Sequence, residues 1–143
     1  LEQVVDNVSY DPFLSSQNEA PKAPGMKYKH YAPDAPMRAF IGNPKDVAEA
    51  FNNVIHEQDT KRGAFLVSQE TYDLLKDSVH GEFHVYGHSG DAVALAHDFY
   101  KTLHHFNECD VDYILAEGVV NTGLGVAVMN RMEKACAGHI IYL

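Results

Sequence analysis

Five consecutive residues near the start of the chain concentrate its most unusual chemistry: Lys27, Tyr28, Lys29, His30 and Tyr31, within Pro24-Gly25-Met26-Lys27-Tyr28-Lys29-His30-Tyr31-Ala32-Pro33. In an extended chain alternate side chains face opposite ways, which sets Lys27, Lys29 and Tyr31 on one side and Tyr28 and His30 on the other. Such a strip can lay cations on phosphates while its rings stack on a base or seal a pocket. Generic linkers favour Gly, Ser and Pro and rarely hold two tyrosines, a histidine and two lysines in five positions.

A second group surrounds the start of the last expected helix: Glu117, Gly118, Asn121, Gly123 and Gly125. Exposed amides there can hold a phosphate or carboxylate. Glu117 ends a strand where open α/β sheets bind ligands, and it can equally pair with a neighbouring backbone group. A dinucleotide fingerprint is poorly matched, because a GxGxxG alignment begun at Gly123 puts Val128 at the third glycine and falls in the last βα unit. No P-loop lysine follows.

Other constellations are weaker. Among nine histidines, His84 and His88 divide between a strand and the loop after it, and the adjacent His104 and His105 point to different sides of a helix, so no metal is expected from them. Cys109 and Cys136 lack partner cysteines at metal-ligand spacing and are expected to be packing residues. Ile41-Gly42-Asn43 supplies no acid pair of the receiver kind, and no Ser-His-acid or Cys-His order sits in a recognisable nucleophile context.

The elements that must position these residues divide the chain in two. Five of the six prolines fall before residue 37. Proline lacks a backbone donor and biases its predecessor toward extended conformations, so residues 15–36 read as an arm able to reach on the order of 70 Å. Residues 1–14 read as the remnant of an upstream domain. From residue 37 to 143, short β-rich runs alternate with amphipathic segments, the signature of a mostly parallel sheet with flanking helices. The expected strands are Met37–Gly42, Ala64–Val67, Phe83–Tyr86, Tyr113–Ala116 and His139–Leu143. Asn43, Ser68 and Asp91 are expected N-caps, and Pro44 suits a first helical position. Val93, Ala96, Phe99, Tyr100 and Leu103 form the expected buried stripe of the third helix. The fourth is expected from Thr122 to Ala135, stopping near Gly138.

Composition narrows the function classes. With 143 residues, 45% hydrophobic and 22% charged, the chain is in the ordinary globular range. No apolar run approaches the about 18 residues of a membrane span. A net charge of −9 argues against a broad nucleic-acid surface, since such binding draws on Lys and Arg displacing counterions. Two cysteines suit a reducing, cytoplasmic setting. Leu1 in place of an initiator methionine leads to the expectation that the chain is a fragment of a longer protein.

Pro24 to Pro33 resembles the linker motif, usually PGMKYRHYAP, of the two-domain form of threonylcarbamoyl-AMP synthase, whose N-terminal catalytic half is the YrdC-like domain. Gly123 to Ala135, with Asn130 and Arg131, is similar to the last C-terminal-domain helix of that family. The resemblance implies a Rossmann-like C-terminal domain behind a linker that passes over the active-site mouth, with Lys27, Tyr28, Lys29, His30 and Tyr31 at the covering positions. It implies a parent that makes threonylcarbamoyl-AMP from threonine, bicarbonate and ATP, with magnesium, for threonylcarbamoyladenosine modification of tRNA. The implied partners are the N-terminal catalytic domain and other tRNA-modification proteins; no cofactor is expected in this chain alone. Lys29 departs from the usual Arg, and an ammonium cannot reproduce the bidentate fork of a guanidinium. The competing classes are a free-standing nucleotide-binding module centred on Glu117 and its glycines, and a partner-docking module.

Overall fold

The computed structural model describes residues 32–143, in which strands and helices alternate throughout: β1 (Met37–Ile41), α1 (Pro44–Gln58), β2 (Gly63–Ser68), α2 (Gln69–Leu75), β3 (Glu82–Gly87), α3 (Ala92–Glu108), β4 (Tyr113–Glu117), α4 (Gly125–Ala135) and β5 (Ile140–Tyr142). All five strands lie in one parallel sheet of order β3-β2-β4-β1-β5. The sequence expectation of an α/β, Rossmann-like open sheet of about five strands is met, with no strand end displaced by more than one residue. The expected arm and upstream remnant, apart from residues 32–36, lie outside the described residues. Pro33–Leu143 forms a compact unit of its own. Residues just before β1 are tied into it: the Asp34 amide donates to Asn107 Oδ1 and the Ile114 amide to the Pro36 carbonyl.

Three helices begin where side-chain oxygens satisfy orphan amides. Asn43 Oδ1 accepts from the Asp46 amide at 2.9 Å, Ser68 Oγ from Thr71 at 3.3 Å, and Asp91 Oδ1 from Ala94 at 3.0 Å. Pro44 follows its cap directly, its fixed φ suiting the first turn and its missing N–H costing nothing there.

Parallel strands need helical crossovers, and their fixed hand puts α1 and α2 on one face of the sheet and α3 and α4 on the other. On the first face Val47, Phe51 and Val54 of α1 and Leu75 of α2 pack on Phe40, Phe65, Val67 and Leu115. Phe65 is central: its ring lies 4.9 Å from Phe83, and 6.1 Å from both Phe51 and Tyr113, in tilted or edge arrangements. Two of the three strands inside the sheet, β2 and β4, are buried along their whole length, as helix layers on both sides require.

Two expectations are corrected. Of the expected α3 stripe Phe99, Tyr100 and Leu103 are buried, but Val93 is 62% exposed and Ala96 only half-buried, and Leu95 and Phe106 complete the buried face. α4 begins at Gly125 rather than Thr122. The intervening residues form a tight turn in which the Gly125 amide donates to the Thr122 carbonyl, with Gly123 at φ +54°.

At its other end α4 closes with the Gly138 amide donating to Glu133 and the Ala137 amide to Lys134, a Schellman pattern. The left-handed position is thus filled by Ala137, at φ +51°, rather than by the glycine that follows it. Ala137→Gly is therefore expected to stabilise the domain by about 0.5–1 kcal/mol, net of the entropy glycine loses on folding. Urea denaturation measures it, and an unchanged or lowered midpoint contradicts it.

Candidate functional site

The carboxyl ends of the strands converge where ligands bind in open α/β sheets, and the adjacent β1 and β4 leave the sheet toward opposite faces. A cleft of about 200 Å³ opens there, lined by Ile41 and Gly42 after β1, Ser89 and Gly90 after β3, and Gly118, Val119 and Val120 after β4. A neighbouring recess of about 310 Å³ runs from Gly90–Val93 to Leu124 and Gly125. Val93, Val120 and Leu124, which line it, are 62–78% exposed and give it an apolar rim.

The structure separates the expected cleft residues by role. Glu117 does not face the cleft as a free carboxylate. It is 1% exposed, and its Oε1 accepts the Ser68 amide at 2.8 Å. Burial pushes its pKa up, opposed by hydrogen bonds from the Ser68 amide and from the Thr71 and Ser68 hydroxyls; the charge of Glu70 raises it further. The backbone-pairing alternative is the one observed. Gly118 donates its amide to the Phe40 carbonyl at 2.9 Å, and its Cα faces Ile41 and Met129 at the cleft floor. Asn121 and Gly123 lie on the exposed turn before α4. Gly125 is buried, and a Cβ there would stand 2.1 Å from the Val120 carbonyl oxygen. The α4 start has no side-chain cap, Leu124 being the residue at that position.

Residues that the sequence did not single out complete the region. Glu70, from the first turn of α2, accepts the Ser89 amide at 2.8 Å and meets His88 Nδ1 at 3.1 Å, joining the β2–α2 and β3–α3 loops. The Ser89 amide leads the interactions that lower its pKa. Tyr86 is buried with its hydroxyl unpartnered among the described residues, and burial, followed by the charges of Glu117, Glu70 and Asp91, drives its pKa far upward. The only advance signal was Ser68, read as a cap; Thr71, Glu70 and Tyr86 looked like ordinary surface and strand residues. The residues that line the cleft carry no charged side chain.

Two of the histidines share one carboxylate. His84 Nε2 contacts Asp98 Oδ2 at 2.7 Å and His97 Nδ1 contacts Asp98 Oδ1 at 2.8 Å. Burial alone would raise the Asp98 pKa, but these imidazoles and Lys101 more than offset it and the net shift is downward. Cys136 is a buried packing residue as expected, whereas Cys109 is only half-buried, with Sγ 3.5 Å from His105 Nε2. Lys27, Tyr28, Lys29, His30 and Tyr31 lie outside the described residues. Among the described residues no helix is long and apolar enough to cross a membrane.

Residues 1–137 match the family model described as threonylcarbamoyl-AMP synthase, C-terminal domain. The chain is similar to a threonylcarbamoyl-AMP synthase of Bacillus subtilis, 36% identical over 143 residues, which cover 99% of this chain and 39% of that relative. It is similar to that of Pyrococcus abyssi, 36% identical over 146 residues, covering 99% and 40%. The chain thus spans about two fifths of the length of these relatives. Among solved structures, it resembles P. abyssi Sua5 complexed with L-threonine, with a TM-score of 0.61 and 33% identity over 89% of this chain and 35% of that one. It also resembles a C-terminal Sua5 domain from Pyrococcus horikoshii, with a TM-score of 0.55 and 28% identity over 78% of this chain and all of that one.

Proposed function

The chain belongs to the family of threonylcarbamoyl-AMP synthase C-terminal domains, and on that premise we propose that it is the accessory half of a longer synthase, anchoring a linker that closes over the active site. The observation that carries this reading is the extent of the family match. It takes in residues 1–137, and so the arm as well as the domain, while the chain covers only 39% of its B. subtilis relative.

In this reading the missing N-terminal half binds threonine, bicarbonate and ATP with magnesium and forms threonylcarbamoyl-AMP for tRNA modification. An acyl adenylate hydrolyses readily, so a strip that excludes water and positions the reactants has a clear physical purpose. Lys27 and Lys29 supply cations for phosphate oxygens, and Tyr28, His30 and Tyr31 supply rings that seal the mouth. The domain holds one end of the strip through Asp34 and Pro36, which are bonded to the ends of α3 and β4. Its apolar rim of Val93, Val120 and Leu124 has the chemistry of a surface that docks on the catalytic half.

The 143-residue chain alone is expected to release no pyrophosphate from ATP in the presence of threonine and bicarbonate. In the longer protein, Tyr28→Ala or Tyr31→Ala is expected to lower turnover by about tenfold, because lid contacts contribute most when the pocket is shut. The melting temperature of the domain should not move if the strip acts only as a lid. Full activity in both variants would reduce the strip to a tether. A second reading gives the cleft a small ligand of its own, favoured by the uncapped start of α4 beside it. Calorimetric titration of the chain with ATP separates the two, since a lid domain takes up none.

A further inference from the structure

At the amino-terminal end of the sheet, away from the cleft, the fold gathers three different metal donors. Glu82 opens β3, His105 lies on the last turn of α3, and Cys109 caps that helix. One carboxylate oxygen, one imidazole nitrogen and the thiol sulfur lie within 4.8 Å of one another. We propose that Glu82, His105 and Cys109 form a binding site for a borderline-soft divalent cation of the zinc class, with the fourth position open to water.

The geometry carries the proposal. Bonds of about 2.3 Å from zinc to sulfur and about 2.05 Å to nitrogen, set at a tetrahedral angle, place the two ligand atoms about 3.5 Å apart. Cys109 Sγ and His105 Nε2 stand 3.5 Å apart already, without a metal. They are one helical turn apart in sequence, so their side chains emerge side by side from the same face of α3. Glu82 approaches from the neighbouring strand, and the cation would therefore bridge β3 to the end of α3. Both Glu82 and Cys109 are half-buried while His105 is exposed, which leaves an entry path. A recess lined by Lys61, Arg62, His80 and Gly81 among others opens beside Glu82.

The local field points the same way. A helix C-terminus carries partial negative charge, and Glu82 and Glu108 add to it, with Arg62 the opposing cation. Burial, then Glu82, pushes the Cys109 thiol pKa up in the absence of a metal. A bound divalent cation reverses that balance: the sulfur–metal bond forms as the thiol proton leaves to solvent. The mixed sulfur, nitrogen and oxygen set selects zinc-like ions over magnesium or calcium, which require oxygen ligands. The spacing of cysteines in sequence could not reveal this site, because its third ligand comes from a separate strand.

Cobalt(II) serves as a spectroscopic substitute in a titration of the reduced 143-residue chain. We expect saturable binding of one equivalent, with thiolate-to-cobalt charge-transfer absorption and the strong visible bands of a tetrahedral ion. Cys109→Ser should abolish the charge-transfer band and Cys136→Ser should leave it intact. Glu82→Gln and His105→Ala should each weaken affinity by at least about tenfold. Independently, saturating zinc should slow alkylation of Cys109 by at least about tenfold, with magnesium having no effect. Circular dichroism confirms that each variant is folded. Absence of the band, its survival in Cys109→Ser, or an alkylation rate insensitive to zinc would overturn the assignment; affinity unchanged by Glu82→Gln would overturn the bridge to β3.

Discussion

Gly125→Ala is expected to cost the domain about 3 kcal/mol, the largest effect of any single-atom addition in the described region. The added Cβ would sit 2.1 Å from the Val120 carbonyl oxygen, 3.1 Å from Val119 Cγ2 and 3.3 Å from the Val120 carbonyl carbon. Two of these atoms are backbone, which cannot swing aside as the end of a side chain can. Relief requires the β4–α4 loop to move, and its path is fixed by the Gly118 bond to Phe40 and the turn from Thr122 to Gly125. In urea, at about 1–3 kcal/mol per molar, this corresponds to a midpoint lowered by about 1–3 M. A midpoint within experimental error of the parent would show that the loop yields freely and that the approach of Gly125 to Val120 is incidental.

Glu117→Ala should destabilise by about 2–3 kcal/mol, whereas Glu117→Gln should do little harm. The alanine leaves the buried Ser68 amide without its acceptor, a loss of about 1–3 kcal/mol, and opens space beneath α2. Removing a buried carboxylate offsets part of this, which is why the cost is not larger. Glutamine keeps an acceptor oxygen for Ser68 and presents its NH2 to the hydroxyls of Thr71 and Ser68 that now flank the carboxylate. The pH dependence has a definite sign. Because the folded pKa of Glu117 is raised, chiefly by burial, its favourable contribution is fully present below the ordinary glutamate range near 4.5 and is lost as pH rises through the folded value. Glu117→Gln should accordingly gain on the parent protein as pH rises from about 4 toward neutrality. Denaturant midpoints for both proteins across that range provide the test; a constant difference would mean that the carboxylate titrates as if exposed.

Much of the fold was legible because local chemistry and global pattern agree. Asn43, Ser68 and Asp91 announce helix starts by a mechanism that needs no tertiary information, and all three caps form. The buried strands read as short apolar runs because helices cover both sides. Phase was harder: α3 carries apolar residues on more than one face, and only packing decides that Leu95 goes in and Val93 stays out. The Thr122–Leu124 turn was read as helix because its composition does not forbid one, yet the approach of Gly125 to Val120 imposes a tighter path. At the site, the position of Glu117 at a strand end was visible. Its partner was not, since Ser68 lies 49 residues away and meets it only because β2 pairs with β4. The same holds for Glu82 with His105 and Cys109, which no spacing rule connects.

The strand order has a consequence for how the chain is made. β1 is the first strand to leave the ribosome, yet its two neighbours are the last: Met37 pairs with Ile114 and Ala39 with Ile140. During synthesis β2 and β3 can find each other early, being adjacent both in sequence and in the sheet. β1 must wait, its edges unpaired, until β4 and then β5 have emerged. The centre of the sheet is therefore closed only after most of this domain has been translated, and the wait falls on a segment whose Ala39, Phe40 and Ile41 end up buried. Nascent chains stalled before Tyr113 should expose that apolar strand and recruit holdase chaperones, while those stalled a few tens of residues beyond Leu143 should release them.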